Sequence, residues 1–234
     1  MTQQAVLLAA GKGKRMRPLT LETPKPLLVA GGKPLIVWWL EKLAQQGIRQ
    51  LVINTHYLGE QLPLALGKGE HWGLDITYSA ESQLLETGGG VLQALPSLRA
   101  ESFLLVNSDV WCDPLPQLQL DAGQLAKLVV VANPEHNPQG DFHLYAQSQL
   151  SNQPTALSQP VTFAGISLLH PQAFSAQRLH QAYGKTLKAG EAFPLAPLLR
   201  LLIEQQLATA HYHDQEWIDI GTPARLAELQ ERLA

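Results

Sequence analysis

A cationic segment near the start of the chain, LAAGKGKRMRPLTLETPKPL (8–27), has the residue types that bind an anion. It carries five Lys or Arg residues and one acid, although the 234-residue chain has only 17 Lys and Arg in all; an even distribution would place about one or two in such a window. Gly11 and Gly13 would let backbone N–H groups approach a ligand closely. Arg15 offers a planar fork of donors to phosphate oxygens, and Lys25 is a compact charge between two prolines. We expect this segment to bind phosphate groups.

Two familiar phosphate-binding motifs are absent from this segment. The dinucleotide fingerprint requires a third glycine where Met16 stands, and the P-loop requires Gly-Lys followed by Ser or Thr after four spacer residues. The pattern present is G-x-G-x-R-M-x-P-L-T followed by P-K-P-L. Prolines on both sides of Lys25 fix the backbone and reduce the entropy that the lysine loses when it binds a ligand. The alternative interpretation is a charged surface loop that contains glycines.

Two aspartates follow or lie within short apolar stretches. Asp109 ends LLVNSD (104–109), and Asp219 lies in WIDIG (217–221). Mg²⁺ binds through one or two carboxylates together with substrate phosphates, and an acidic side chain in a buried strand is costly unless it is paired. Both aspartates are therefore candidate Mg²⁺ ligands. For Asp109 the alternative is a turn or helix-capping role.

Strands and helices alternate along the first part of the chain, where they would position these side chains. Buried strands are predicted at 4–10, 50–55, 102–109 and 127–133, with an alternating strand at 74–79. Helices are predicted at 34–47, 58–66 and 91–95, the last after a glycine-rich turn at 88–90. This alternation implies parallel pairing with right-handed crossovers. Residues 1–133 are therefore predicted to form a Rossmann-like, doubly wound sheet.

The second part of the chain, 134–234, has a more mixed pattern. Strands are predicted at 140–146, 161–169, 207–213 and 217–221, and helices at 193–206 and from Pro223 onward. No long linker or internal repeat separates the two parts. We therefore predict one α/β domain over 1–234 with a mixed sheet, whose second part covers the sheet and builds a lid.

Composition excludes several classes of protein. The net charge of −3 lacks the excess of Lys and Arg typical of a general nucleic-acid binder. The single cysteine, Cys112, rules out an intrachain disulfide and fits a reducing compartment. We expect no signal peptide before the first strand, and the sequence has no apolar run of about 18 residues that could span a membrane. We expect a cytoplasmic protein without nucleic-acid or membrane partners, as a monomer or small homo-oligomer.

Taken in order, the motifs resemble those of the sugar-1-phosphate nucleotidylyltransferases, which join a nucleoside triphosphate to a sugar 1-phosphate and release pyrophosphate. Besides the cationic segment, the resemblance rests on LETGGGVLQALP (85–96), LLVNSDVW (104–111), GDFHL (140–144), FAGISLLHP (163–171), LAPLLR (195–200) and WIDIGTPARL (217–226). It covers nearly the whole chain. The set as a whole is most similar to the bacterial members that transfer UMP from UTP to N-acetylmuramate α-1-phosphate in cell-wall sugar recycling.

This resemblance implies roles for individual residues. It implies a nucleotide-diphospho-sugar transferase fold, with a nucleotide-binding part at 1–133 and a sugar-binding part with the C-terminal helix at 134–234. Arg15, Lys25 and Asp109 would be catalytic, and Asp109 with Asp219 would hold Mg²⁺. The implied nucleotide-binding residues are Ala10, Gly11, Gly13, Lys14, Arg15, Lys25, Glu81, Gly88 and Asn107. The implied sugar-binding residues are Asp109, Asp141, Gly165 and Glu191.

Selection of the base and the sugar is less closely defined by the sequence. Glu81 would accept a hydrogen bond from uracil N3–H, with a backbone donor from Gly88. A guanine N1–H could satisfy the same carboxylate, and a solvent-exposed loop glutamate is the alternative. The chain departs from the family pattern at Pro194, where a lysine is expected; Lys185 and Lys188 lie nearby.

Three functions are compatible with these patterns. The first is UMP transfer from UTP to N-acetylmuramate α-1-phosphate with Mg²⁺. The second is the same reaction on another pair, such as mannose 1-phosphate with GTP or glucose 1-phosphate with dTTP. The third is a non-catalytic regulatory subunit that binds nucleotide sugars, which the presence of all the candidate catalytic residues disfavours.

Overall fold

The computed structural model describes residues 3–99, 101–146 and 148–233. The other five positions of the predicted domain, 1, 2, 100, 147 and 234, lie outside the described residues. The strands are β1 (Gln4–Leu8), β2 (Val29–Ala30), β3 (Lys33–Pro34), β4 (Gln50–Thr55), β5 (Asp75–Ala80), β6 (Phe103–Asn107), β7 (Val110–Asp113), β8 (Ala126–Val131), β9 (Phe142–Tyr145), β10 (Gln149–Ser151), β11 (Gln159–Leu169), β12 (Ala208–Tyr212) and β13 (Glu216–Asp219). The α-helices are α1 (Leu35–Gln45), α2 (Gln61–Leu66), α3 (Glu86–Ala94), α4 (Ala176–Tyr183), α5 (Ala196–Glu204) and α6 (Pro223–Arg232).

A mixed sheet forms the centre of the fold, as predicted. Within the described residues it has nine strands in the order β5-β4-β1-β6-β11-β8-β12-β10-β9. Strands β5, β4, β1 and β6 are parallel, and Leu8 at the end of β1 lies opposite both Asn54 and Asn107. The carboxyl ends of three neighbouring strands therefore meet at one edge, which is where ligands of open α/β sheets bind.

Strand β8, which was predicted at 127–133, does not pair within this parallel group, so its predicted pairing was wrong. Strand β11 lies between β6 and β8 and is antiparallel to both. Most of β11 is buried, and a central place in the sheet is what buries both faces of such a strand. Strand β11, which comes later in the chain than β6 and β8, therefore separates these two strands in the sheet.

The strands of the second part belong to the sheet itself, whereas the sequence predicted that this part covers the sheet and builds a lid. The first residues of β11 pair with β9, and β9 pairs with β10. Strands β8, β12, β10, β9 and β11 thus close into a ring in the part of the chain that the structure describes. Phe142, Leu144, Leu150 and Val161 from these strands belong to one hydrophobic core cluster. This ring flanks the parallel strands on the β6 side.

The predicted glycine turn at 88–90 is wrong, because all three glycines lie inside helix α3. Their role is close packing. A Cβ atom at Gly89 would lie 2.3 Å from the carbonyl oxygen of Glu191, and one at Gly88 would lie 2.5 Å from the ring of Phe193. Glycine has low helix propensity, but here it lets the segment before α5 lie directly against α3.

Candidate active site

A cavity of about 360 Å³ opens at the edge of the sheet where β1, β4 and β6 end. We name it the main cavity because most of the predicted site residues line it. Nine of the predicted site residues line it: Ala10, Gly11, Gly13, Lys14, Arg15, Lys25, Glu81, Asn107 and Asp109. The segments after β1 and β6 are tied together at its base, because the backbone N–H and the hydroxyl of Ser108 both donate to the carbonyl of Leu8, at 3.1 and 2.6 Å. The fold therefore gathers residues from distant parts of the sequence around one space.

The glycine loop is shaped by hydrogen bonds at both ends. Ala9 N–H donates to the side-chain oxygen of Asn54 at 2.6 Å. Gly13 has φ +55°, a left-handed conformation that favours glycine, and its carbonyl accepts from the hydroxyl of Thr20 at 2.8 Å. A short 3₁₀ turn, Lys14–Met16, follows and buries Met16 while Arg15 remains at the cavity. The backbone of the loop is thus held in place at both ends.

Lys25 and Asp109 form an ion pair inside the cavity. The ammonium Nζ donates to Asp109 Oδ2 at 2.7 Å, and the side chains are 11% and 38% exposed. Lys25 starts a 3₁₀ turn between Pro24 and Pro26, so the backbone on both sides of the lysine is restricted, as predicted. A lysine this buried needs a counter-charge, and it takes one from the carboxylate at the end of the neighbouring strand.

Asp219 lies close to Asp109 because it ends β13, the strand that pairs with β7. Strand β13 pairs antiparallel with β7, Asp219 lies opposite Val110, and Ile220 N–H donates to the carbonyl of Asp109 at 2.8 Å. Helix α1 supports this strand pair, because Trp39 Nε1 donates to the carbonyl of Val110 at 2.9 Å. The backbones of the two aspartates therefore lie side by side.

The carboxylate of Asp219 already has basic partners that the sequence analysis missed. Its Oδ2 accepts from Arg225 Nη1 at 2.8 Å and lies 3.3 Å from Nε2 of His136. Asp219, Arg225 and His136 line a second cavity of about 550 Å³. Arg225 stands in the first turn of α6, six residues after Asp219, and that spacing was the available signal; nothing near His136 in the sequence points to this contact.

Glu81 lines the main cavity, with both carboxylate oxygens hydrogen-bonded to neutral donors. Oε1 accepts from Asn54 Nδ2 at 2.7 Å, and Oε2 accepts from the backbone N–H of Leu85 at 3.0 Å. Burial raises the pKa of Glu81 above its ordinary value of 4.5, against the opposing effect of these hydrogen bonds and of nearby His56. Asn54 was missed by the sequence analysis, although a polar residue near the end of the apolar run LVINT was a signal for it.

Gly88 does not provide the free backbone donor that the sequence analysis expected. Its N–H donates to the carbonyl of Phe193 at 2.9 Å, because it lies in α3 against the segment before α5. Leu84, Glu86 and Thr87, just before it, line the cavity instead. Glu86 has φ +59°, an uncommon conformation for a residue with a side chain.

The predicted sugar-binding residues of the second part lie outside the lining of this cavity. Asp141 Oδ2 accepts from Phe163 N–H at 2.9 Å, so this carboxylate helps to join β9 to β11. Gly165 has φ +76° at an irregularity in β11, and a Cβ there would lie 2.9 Å from Nδ2 of Asn107. Glu191 lies 4.0 Å from Lys185 Nζ. Gly165 is thus the member of this group in contact with a cavity-lining side chain.

Comparison with known proteins identifies the family. A model described as nucleotidyl transferase matches residues 4–234 of the chain. The chain belongs to this family. It is 42% identical over 234 residues to the N-acetylmuramate alpha-1-phosphate uridylyltransferase of Neisseria meningitidis serogroup B, covering 97% of this chain and 96% of that protein. It is 32% identical over 159 residues to the mannose-1-phosphate guanylyltransferase of Mycobacterium tuberculosis, covering 68% of this chain and 39% of that protein.

A solved structure agrees with the fold of this nucleotidyl transferase. The crystal structure of a candidate glucose-1-phosphate thymidylyltransferase from Bacillus anthracis superposes with a TM-score of 0.80 at 18% identity, covering 99% of this chain and 95% of that one. The predicted Rossmann-like α/β fold is confirmed. Across the described ranges, no helix has both the length and the apolar character needed to cross a membrane.

Proposed function

We propose that this nucleotidyl transferase transfers UMP from UTP to N-acetylmuramate α-1-phosphate, giving UDP-N-acetylmuramate and pyrophosphate. The observation that carries the proposal is the Lys25–Asp109 ion pair at 2.7 Å inside a cavity bordered by the glycine loop. The choice of base and sugar is supported by 42% identity, over nearly the full length of both chains, to the Neisseria meningitidis enzyme. Such a reaction would act in the cytoplasm, in recycling of a cell-wall sugar.

The chemistry requires positive charge more than a proton acceptor. An oxygen of the sugar phosphate is already anionic, so it attacks the α-phosphorus of UTP without a general base. A new P–O bond forms at the α-phosphorus, the bond to the bridging oxygen of the β-phosphate breaks, and pyrophosphate leaves with the electron pair. Repulsion between two anions is the main obstacle, and alignment with offsetting charge removes it.

The cations of the cavity would supply this charge to the triphosphate. Backbone N–H groups of the Gly11–Gly13 loop would bind phosphate oxygens, and the Arg15 guanidinium would grip them with paired donors. Lys25 would donate to the α-phosphate from its fixed position beside the strand ends. Because the neighbouring prolines already restrict its backbone, Lys25 loses little backbone entropy when its ammonium exchanges Asp109 for a phosphate oxygen.

Asp109 and Asp219 would hold a Mg²⁺ ion, and the residues present fit one. Asp109 immediately precedes β7 and Asp219 ends β13, and the carbonyl of Asp109 accepts from the N–H of Ile220, the residue after Asp219. Both side chains are hard oxygen donors of the kind Mg²⁺ prefers. No group of three or more His, Cys, Asp or Glu side chains in the described ranges could hold a metal ion, so phosphate oxygens and water would complete the shell. When bound, the ion supplies positive charge to the phosphate oxygens.

The remaining predicted residues would define the base and the sugar. Glu81 would accept from uracil N3–H through a lone pair that its present donors leave free. Asn107, which packs against Gly165, would stand where the nucleotide and sugar meet. Asp141 and Glu191 would contact sugar hydroxyls only if the segments that carry them come closer to the cavity when substrate binds.

A substrate panel tests the proposal. The protein is incubated with Mg²⁺, one of UTP, GTP, CTP or dTTP, and one of several sugar 1-phosphates, and the nucleotide sugar is identified by mass spectrometry together with pyrophosphate release. We expect UDP-N-acetylmuramate as the main product. A preference for GTP with mannose 1-phosphate would move the function to the second pair, and UTP binding without pyrophosphate from any pair would indicate a regulatory subunit.

A further inference from the structure

The two oxygens of the Asp219 carboxylate have different surroundings. Oδ2 is the atom that accepts from Arg225 and lies near His136. Oδ1 faces Gly221, since a Cβ atom built on that glycine would lie 3.0 Å from Oδ1 and 2.9 Å from Nη2 of Arg15. Gly221 lines the main cavity, whereas Asp219, Arg225 and His136 line the second one. Oδ2 is thus anchored by two basic side chains, and Oδ1 lies beside Gly221, a residue that lines the main cavity.

Local sequence builds the anchor at the start of α6. Thr222 caps this helix, its hydroxyl accepting from the N–H of Arg225 at 3.4 Å, and Pro223 occupies the first turn. The Arg225 side chain then turns back to Asp219 across Gly221, where a Cβ would lie only 2.6 Å from its Nη2. A side chain at 221 would therefore displace the end of Arg225 from its present position beside the carboxylate.

His136 holds the arginine from the opposite part of the fold. It lies between β8 and β9, and its Nε2 is 2.9 Å from Nη1 of Arg225. The side chains of Arg225 and Asp219 are only 18% and 19% exposed, so water screens this pair little. Such outer partners fix the orientation of a metal-binding carboxylate and commonly affect metal affinity about 10- to 100-fold.

We propose that Arg225, supported by His136, is a positioning residue that presents Oδ1 of Asp219 to the metal ion. This inference rests on the proposed function, because it requires that Asp219 is a metal ligand. Arg225 would touch neither substrate nor metal; it acts by holding Oδ2, which leaves Oδ1 beside Gly221 at the margin of the main cavity.

Binding of Mn²⁺ to the substrate-free protein, followed by electron paramagnetic resonance of the free ion, tests the proposal without an activity measurement. We expect Arg225→Gln to weaken Mn²⁺ binding about 10- to 100-fold, Arg225→Lys to restore part of it, and His136→Gln to weaken it less than Arg225→Gln does. Arg232→Gln is the matched control, since Arg232 lies on the same helix and pairs with Glu228. Unchanged thermal unfolding would show that each variant is folded.

Two further results would overturn the proposal for different reasons. If Asp219→Asn weakens Mn²⁺ binding but Arg225→Gln binds like wild type, or more tightly because a competing cation is gone, the positioning role is wrong and the metal site stands. If wild type binds no Mn²⁺, or Asp219→Asn binds it as wild type does, the metal assignment of the proposed function fails, and the positioning role fails with it.

Discussion

Two neighbouring carboxylates, Asp109 just before β7 and Asp219 at the end of β13, are neutralised in different ways. Asp109 pairs with Lys25, which lines the same cavity. Asp219 pairs with Arg225, and both residues line the second cavity. A phosphate entering the main cavity would compete directly for Lys25 and leave Arg225 in place. We infer that the first pair opens to bind substrate, whereas the second is a fixed support.

Glu81 extends this comparison to a third carboxylate on the main cavity. Its partners are the neutral donors Asn54 and the Leu85 N–H. Burial is therefore not offset by a contacting cation, and the pKa of Glu81 is raised. Glu81 therefore differs from Asp109 and Asp219, whose carboxylates each contact a basic side chain.

The largest expected effect comes from removing the exchangeable cation. Lys25→Ala should lower kcat/KM for nucleotidyl transfer about 100- to 1000-fold, because it removes the ammonium that stabilises the negative charge developing on the phosphates. Lys68→Ala, at an exposed lysine far from the cavity lining, is the matched control and should keep full activity. Near-normal kcat/KM in folded Lys25→Ala would mean that the Lys25–Asp109 pair is only structural.

A comparison of Asp109→Asn with Asp219→Asn distinguishes the two pairs by stability. Arg225 keeps Thr222 and His136 as hydrogen-bond partners, whereas Lys25 loses the carboxylate to which its ammonium donates. We therefore expect Asp109→Asn to lower the free energy of unfolding by about 1 kcal/mol more than Asp219→Asn does. Urea unfolding of both variants measures this difference, and an equal or opposite order would contradict the contrast.

The smallest effect concerns the pH dependence of stability at Glu81. A carboxyl whose pKa is raised on folding stabilises the protein below its unfolded pKa, and this stabilisation is lost as the pH rises through the folded pKa. Glu81→Gln removes that titration. The free energy of unfolding of the variant, relative to wild type, should therefore rise as the pH increases above 4.5, the ordinary pKa of this carboxyl.

Urea unfolding of both proteins at several pH values tests this expectation. The hydrogen bonds that glutamine changes add an offset that does not depend on pH, so only the trend matters. If the free energy of unfolding of the variant relative to wild type stays constant or falls as the pH rises, the pKa of Glu81 is not raised by folding.

Local patterns predicted the parallel half and its loops well. The apolar run of β1 ends at a glycine-rich cationic loop, and the run of β6 ends at Asp109, so strand, edge and charge are all encoded within short segments. Parallel pairing of β1 with β4 and β6 then places Leu8, Asn54 and Asn107 opposite one another at the carboxyl ends of the strands. This is why most of the predicted nucleotide-binding residues line one cavity.

Contacts between distant segments could not be predicted from the same patterns. The insertion of β11 between β6 and β8 depends on packing across the whole sheet. Glycines at 88–90 predict a turn by local propensity, and only the contact with Glu191 and Phe193 explains why they stand in a helix. Arg225 and His136 meet at Asp219 from segments 89 positions apart. Each of these features depends on a contact with a residue that is distant in the sequence, and a local sequence pattern does not identify that residue.

The most direct test of the account is a crystal structure of the protein with a non-hydrolysable UTP analogue and Mn²⁺, with the ion located by its anomalous scattering. We predict one Mn²⁺ bound by carboxylate oxygens of both Asp109 and Asp219, and α-phosphate oxygens within hydrogen-bonding distance of Lys25 Nζ. A triphosphate bound away from Lys25, with no ion between the two aspartates, would contradict the account.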